Sequence, residues 1–186
     1  MKRYVVGFAF DAREEHVFLI QKNRPAWQIG RLNGIGGLIE PRETPAEAMT
    51  REFHEEAGVL VIPARWLLVA LLRGDGYEVW FFATWLRPDG MEPVTRGDES
   101  VIAVSSEDLP ETVIPNLRWL IPMARQRQAH DLPFCIRERD TVLLGTAFPQ
   151  AVVPEKVGAS NDSVAEIPKR WGHKPRPIAA APRKKS

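Results

Sequence analysis

Residues 37–59 read GLIEPRETPAEAMTREFHEEAGV, and this stretch decides the fold. Thr44 followed by Pro45 and Glu47 has the form of a capping box with proline at the first helical position. Gly58 suits the residue just past a helix C-terminus, where a left-handed backbone is needed. A helix over Pro45–Ala57 is therefore predicted from both of its ends. Met49, Phe53 and Ala57 recur at four-residue spacing and form the apolar stripe that packs on a core. Glu52, Glu55 and Glu56 converge on another face, where like charges cost roughly 0.2–0.5 kcal/mol per pair unless something positive sits among them. Arg51 offers part of that compensation by pairing with Glu55 or Glu47.

A solvated acidic face is the ordinary explanation of such a segment. The glycine-containing run Asn33-Gly34-Ile35-Gly36-Gly37, just upstream, argues for more, because glycine lets the backbone approach a ligand closely. Mg²⁺ prefers oxygen ligands and combines one or two carboxylates with substrate phosphates and water. Glycine-rich loop, capped helix and clustered glutamates together suggest a metal–phosphate site.

Gly37, Glu43, Arg51, Glu52, Phe53, Glu55, Glu56, Gly58 and Val59 meet the pattern G-x5-E-x7-R-E-U-x-E-E-x-G-U without gap or substitution, U being a bulky apolar residue. In this the chain resembles the Nudix hydrolase family. The resemblance implies an α/β fold, an α/β/α sandwich with a mixed sheet and a loop–helix–loop motif, over residues 1–149. It implies that Glu52, Glu55 and Glu56 bind Mg²⁺ (with Mn²⁺ able to substitute), with the Gly37 backbone nearby. Arg51 would orient the motif glutamates and Glu43 would anchor the loop. The implied chemistry is hydrolysis of a nucleoside diphosphate linked to some group X. Glu55 or Glu56 is the favoured base, and Glu99 is an outside contender for base or extra metal ligand, with a plain turn residue as its alternative.

The flanks bear on the substrate. Lys22-Asn23-Arg24, Trp27 and the run Gly30–Gly37 resemble the MutT-type hydrolases of oxidised purine nucleoside triphosphates. That resemblance makes Asn33 a base-reading residue and places an aromatic at Trp27. Ile114–Pro122 is similar to the group's second base-reading segment, but Asn116 and Leu117 stand where an acidic pair is expected. Asn116 can still pair with a purine edge; Leu117 removes a polar contact. Trp27 or Trp119 could stack on a base, or belong to the core. Lys22 and Arg24 could meet phosphates, or be solvated. The expected reaction cleaves a nucleoside triphosphate, oxidised or otherwise modified, to monophosphate and pyrophosphate. Dinucleoside polyphosphates, RNA 5′ ends and a non-catalytic nucleotide- or RNA-binding domain are the alternatives.

Composition fits one domain: 186 residues with 25 Lys/Arg and 24 Asp/Glu. A lone cysteine, Cys135, excludes an internal disulfide and is expected in a buried strand. The opening MKRYVVGFAF is too short an apolar run for a signal peptide, and no stretch approaches the roughly 20 apolar residues of a membrane span. A cytoplasmic protein without membrane contact is expected. Residues 150–186 hold eight Lys/Arg and three Asp/Glu and are rich in Pro and Ala. A disordered tail is predicted there, able to touch nucleic acid but better read as simply solvated.

Strands are predicted at Tyr4–Phe10, Val17–Gln21, Ala64–Arg73, Tyr77–Leu86 and Val101–Ser105, with a hairpin turn at Gly74-Asp75-Gly76. A second helix is expected over Asn116–Gln128, flawed by Pro122. Leu132–Phe148 could add a hairpin.

Overall fold

The computed structural model describes residues 1–128 and 131–138. Its regular elements are β1 (Lys2–Phe10), β2 (His16–Gln21), β3 (Leu32–Asn33), α1 (Pro45–Ala57), β4 (Leu67–Gly74), β5 (Tyr77–Trp85), β6 (Ser100–Ser105), α2 (Leu117–Gln126) and β7 (Phe134–Arg137). Among the described residues the strands form one seven-stranded sheet in the order β3-β2-β1-β5-β4-β7, with β6 on β2. The sheet is mixed: β1 runs parallel to β5, β4 parallel to β7, and the other pairs are antiparallel.

Alternation along the strands sends side chains to two cores, as a sheet covered on both faces requires. On one face Val5, Ala9, Phe18, Ile20 and Phe82 meet Ala48, Met49, Phe53 and Ala57 of α1. On the other, Phe8, Phe10, Val17, Leu19 and Phe81 meet Leu117, Leu120, Ile121 and Ala124 of α2. This is the expected α/β/α sandwich. Close approach of α1 depends on Gly7, where an added Cβ would lie 2.7 Å from Met49 Cε.

What positions the site is a change of partner along β1. Only Ala9 and Phe10 pair with β2, through Phe18 and Val17. Beyond that point the glycine run takes over the β1 edge: Gly7 N–H donates to Ile35 O at 2.7 Å and Val5 N–H to Gly37 O at 2.9 Å. Gly36 has φ +152°, and a Cβ there would lie 2.2 Å from Val5 O, so only glycine fits. The run is thus strapped flat against the sheet directly ahead of α1.

Several expectations need correcting. Ala64 and Arg65 belong to a 3₁₀ turn over Pro63–Arg65, and the strand starts at Leu67. The second helix covers Leu117–Gln126 rather than Asn116–Gln128. Cys135 does lie in a strand but is exposed. Its strand, β7, pairs in parallel with β4 and turns Ile136 rather than Cys135 inward. Residues 134–137 add to the sheet beside β4; the rest of the proposed hairpin, the 149/150 boundary and the basic tail lie outside the described residues. No helix among the described residues is long and apolar enough to cross a membrane.

Candidate active site

The motif helix is fixed at both termini before any ligand enters. Thr44 Oγ1 accepts from Glu47 N–H at 3.3 Å while Glu47 Oε2 accepts from Thr44 N–H at 2.8 Å. Gly58, at φ 75°, closes the other end by donating its N–H to His54 O. The segment between β5 and β6 supports that end: Val94 N–H donates to Ala57 O at 2.9 Å and Arg96 N–H to Glu56 O at 3.0 Å. Two of the last carbonyls of α1, those of Glu56 and Ala57, are thus satisfied by a neighbouring strap.

Arg51 organises the carboxylates. Its Nε and Nη2 bind Glu43 in a two-point pair at 2.7 and 3.0 Å, Nη1 reaches Glu52 at 2.8 Å and Glu55 at 3.3 Å, and Nη2 also donates to Leu38 O. A planar guanidinium suits this fork, which a lysine could not reproduce. Glu47, an alternative partner in sequence, is engaged by its own cap. Glu43 also accepts from Glu40 N–H at 3.0 Å, tying the loop to the helix. The Arg51 hydrogen bond holds the Glu43 carboxyl below its ordinary range, and Glu43 in turn raises Arg51.

Glu52 and Glu56 sit deeper. Burial raises the pKa of Glu52 against the opposing pull of Arg51. Burial pushes Glu56 up to about 7, although Lys22 and the Gly36 N–H, which meets its Oε2 at 3.1 Å, favour the charged form. Gly37 is pressed on Glu52: an added Cβ would lie 2.6 Å from that carboxylate. Glu55 remains exposed at the rim. Two carboxylates whose pKa values burial raises despite Arg51 and Lys22, beside a glycine cradle, form a hard-oxygen donor set that fits a divalent cation.

Glu99 is not a turn residue in solvent. It is 5% exposed, its Oε1 accepts from Asn23 N–H at 2.7 Å, and its Oε2 is paired with the Lys22 ammonium. Asn23 latches the same loop a second time through Asp98, whose main-chain and side-chain oxygens both accept from Nδ2 at 3.2 Å. Lys22 is therefore paired with Glu99 and also favours the charged form of Glu56.

The other candidates divide. Asn33, on β3, shares a segment with Leu32, which bridges Val113 in parallel just before α2; this brings the Asn33 and Asn116 segments side by side. Trp27 is 54% exposed and open to a ligand. Arg24 is exposed. Trp119 is half-buried against the α2 core, and Leu117 is fully buried there. Sequence reasoning missed Asn23 and Gln28; the latter is buried, with Oε1 accepting from Asn33 Nδ2 at 3.1 Å. Asn23 finds its partners 75 and 76 positions away, and Gln28 meets Asn33 only because the intervening turn folds back; no sequence pattern marks either.

Away from the motif, Asp11, Glu15 and His16 bring ligand atoms within 4.8 Å of one another at the β1–β2 turn. Asp11 already accepts from Glu15 N–H at 2.9 Å and pairs with His16 at 3.0 Å, so the cluster explains itself as a closed turn.

The sequence matches the NUDIX domain family over residues 1–123. The chain belongs to the Nudix family. As a Nudix hydrolase it is 28% identical over 176 residues to the 8-oxo-dGDP phosphatase NUDT18 of Mus musculus, an alignment covering 88% of this chain and 49% of that protein. The chain thus spans about half the length of this curated relative. The mutator MutT protein of Bacillus halodurans superposes with a TM-score of 0.55 at 17% identity, covering 74% of this chain and 90% of its own. An ADP-ribose pyrophosphatase of Streptococcus suis gives 0.55 at 20% identity, covering 72% and 98%. At such identities these structures speak for the Nudix fold alone.

Proposed function

We propose that this Nudix hydrolase cleaves purine nucleoside triphosphates, oxidised or otherwise modified, to monophosphate and pyrophosphate with Mg²⁺. The observation carrying the proposal is the pair of partly buried carboxylates packed against the Gly36-Gly37 backbone, Glu52 held by Arg51 and Glu56 by the Gly36 N–H. Glu52 and Glu56, with Glu55 at the rim, would hold the metal. Bound Mg²⁺ supplies neutralisation of phosphate oxygens and activation of water. Lys22 would meet a phosphate oxygen, giving up part of its pairing with Glu99. The two favoured bases differ in setting: Glu56 is packed against the Gly36 N–H, whereas Glu55 stands exposed at the rim. Asn33 would read the base and Trp27 would stack on it, with Asn116 contributing from the α2 end.

The name of the mouse relative favours a second substrate form, the nucleoside diphosphate. The two differ in product. Products would be separated and identified by chromatography after incubation with Mg²⁺ on ordinary and 8-oxo deoxynucleoside tri- and diphosphates, ADP-ribose, a dinucleoside polyphosphate and 5′-triphosphorylated RNA. Pyrophosphate from a triphosphate is the expected result. Orthophosphate from a diphosphate would move the assignment to the second form. Turnover confined to RNA or a dinucleotide would overturn both.

A further inference from the structure

Three groups around the glycine loop are linked by hydrogen bonds of fixed direction. Gly34 N–H, which can only donate, meets Asn33 Oδ1 at 2.8 Å. The Nδ2 end of Asn33 is thereby turned toward Gln28, whose Oε1 accepts from it at 3.1 Å. Turning over either amide alone would set donor against donor, and turning over both would still do so at Gly34. Gln28 is itself held firmly. It is 9% exposed and lies in a 3₁₀ turn over Ala26–Gln28, closed by Gln28 N–H to Pro25 O and Arg31 N–H to Gln28 O, each at 2.8 Å.

We propose that Gln28 is a positioning residue for specificity: together with the Gly34 N–H it holds the Asn33 amide in one direction, which commits the site to a 6-oxopurine over a 6-aminopurine. The proposal rests on Asn33 being the base-reading residue. With its inner hydrogen bonds made, Asn33 retains one N–H on Nδ2 and one lone pair on Oδ1. A 6-oxopurine presents a carbonyl acceptor at C6 beside an N1–H donor, which complements that pair. A 6-aminopurine reverses both polarities. A freely turning amide would serve either base; one locked by Gly34 and Gln28 serves one. Rotation of the base does not rescue the wrong partner, because the phosphate end is fixed. Asn33 lies three residues before Gly36, whose N–H is bonded to Glu56, so the base and phosphate ends are at most about 10 Å apart along the chain. The loss of a polar group at Leu117, which is wholly buried in the core, leaves the amide pair with more of the discrimination.

The test measures kcat/KM with Mg²⁺ on the full chain for dGTP against dATP, and for dGDP against dADP. Wild type is compared with Gln28→Leu, Gln28→Glu and Asn33→Ala. Wild type is expected to favour the 6-oxopurine, and Gln28→Leu to narrow that ratio about tenfold, chiefly through KM. Gln28→Glu keeps an acceptor facing Asn33 Nδ2 and is expected to retain the ratio. A ratio unchanged in Gln28→Leu but lost in Asn33→Ala would overturn the role of Gln28 while leaving base reading by Asn33 intact. A ratio unchanged in both variants, or near one in wild type, would overturn base reading as well. Equal losses on both nucleotides in Gln28→Leu would reduce Gln28 to a structural residue.

Discussion

Helix α1 carries a complete capping box at one end and a left-handed glycine at the other, whereas α2 starts at Asn116 with no side-chain cap and contains Pro122. Both bury four side chains against the sheet. A proline in a helix interior costs about 3 kcal/mol or more. Leu117, Leu120 and Ile121, all fully buried, return about 1.5–3 kcal/mol each, so packing alone can hold α2. The difference follows from what each helix must do. The core accepts α2 wherever its apolar side fits, but the polar side of α1 must place carboxylates against a glycine loop to within a fraction of an ångström. Its ends are therefore specified chemically, by Thr44, Glu47 and Gly58, and braced by the strap at Val94 and Arg96.

The comparison breaks most visibly if the α1 carboxylates prove dispensable. Glu56→Gln is expected to lower turnover roughly 10²–10⁴-fold while circular dichroism and melting remain those of a folded protein. Near-normal turnover would remove Glu56 from the chemistry.

On the opposite face, Leu120→Ala should cost about 2–5 kcal/mol of stability, read from denaturant unfolding, with turnover per folded molecule preserved. If activity fell and stability did not, α2 would be part of the site rather than its support.

The Glu56 carboxyl also leaves a signature on stability. Its folded-state pKa, about 7, lies above the ordinary 4.5, so between those values the folded protein binds more protons than the unfolded chain. Stability of the metal-free protein from this group is thus greatest below about pH 4.5 and falls as pH rises toward 7. Glu56→Gln should flatten that decline and melt higher than wild type at pH 8 without metal. Parallel melting curves across pH for the two proteins would show that the carboxyl is not desolvated.

The smallest effects separate the two helix starts. Thr44→Ala should cost about 1 kcal/mol, the worth of a cap, while Asn116→Ala should stay within about 0.5 kcal/mol. Asn116→Ala is expected to act on base preference instead; equal destabilisation by the two changes would mean that α2 is capped after all.

The limits of α1 were readable residue for residue because a cap is a local device: donor, acceptor and left-handed glycine lie within a turn of one another. The main strands were readable to within a few residues, since alternation and turn glycines are local too. Cys135 was misjudged because burial within a strand depends on which neighbours cover it, and β7 ends up with its inward side at Ile136. The Glu99 environment was out of reach for a related reason. Its partners Lys22 and Asn23 lie 77 and 76 positions away, and nothing in either segment names the other.

The sequence by itself determined the family, the two ends of the motif helix and the set of carboxylates that α1 carries, because spacing along a helix settles which groups share a side. Only the tertiary structure decided which of those carboxylates are desolvated, that Lys22 pairs with Glu99, and that Gln28 accepts from the Asn33 amide. Desolvation and the Lys22 pairing depend on atoms brought together from distant segments, where β1 exchanges β2 for the glycine run, and the Gln28–Asn33 bond on how the turn between them folds back.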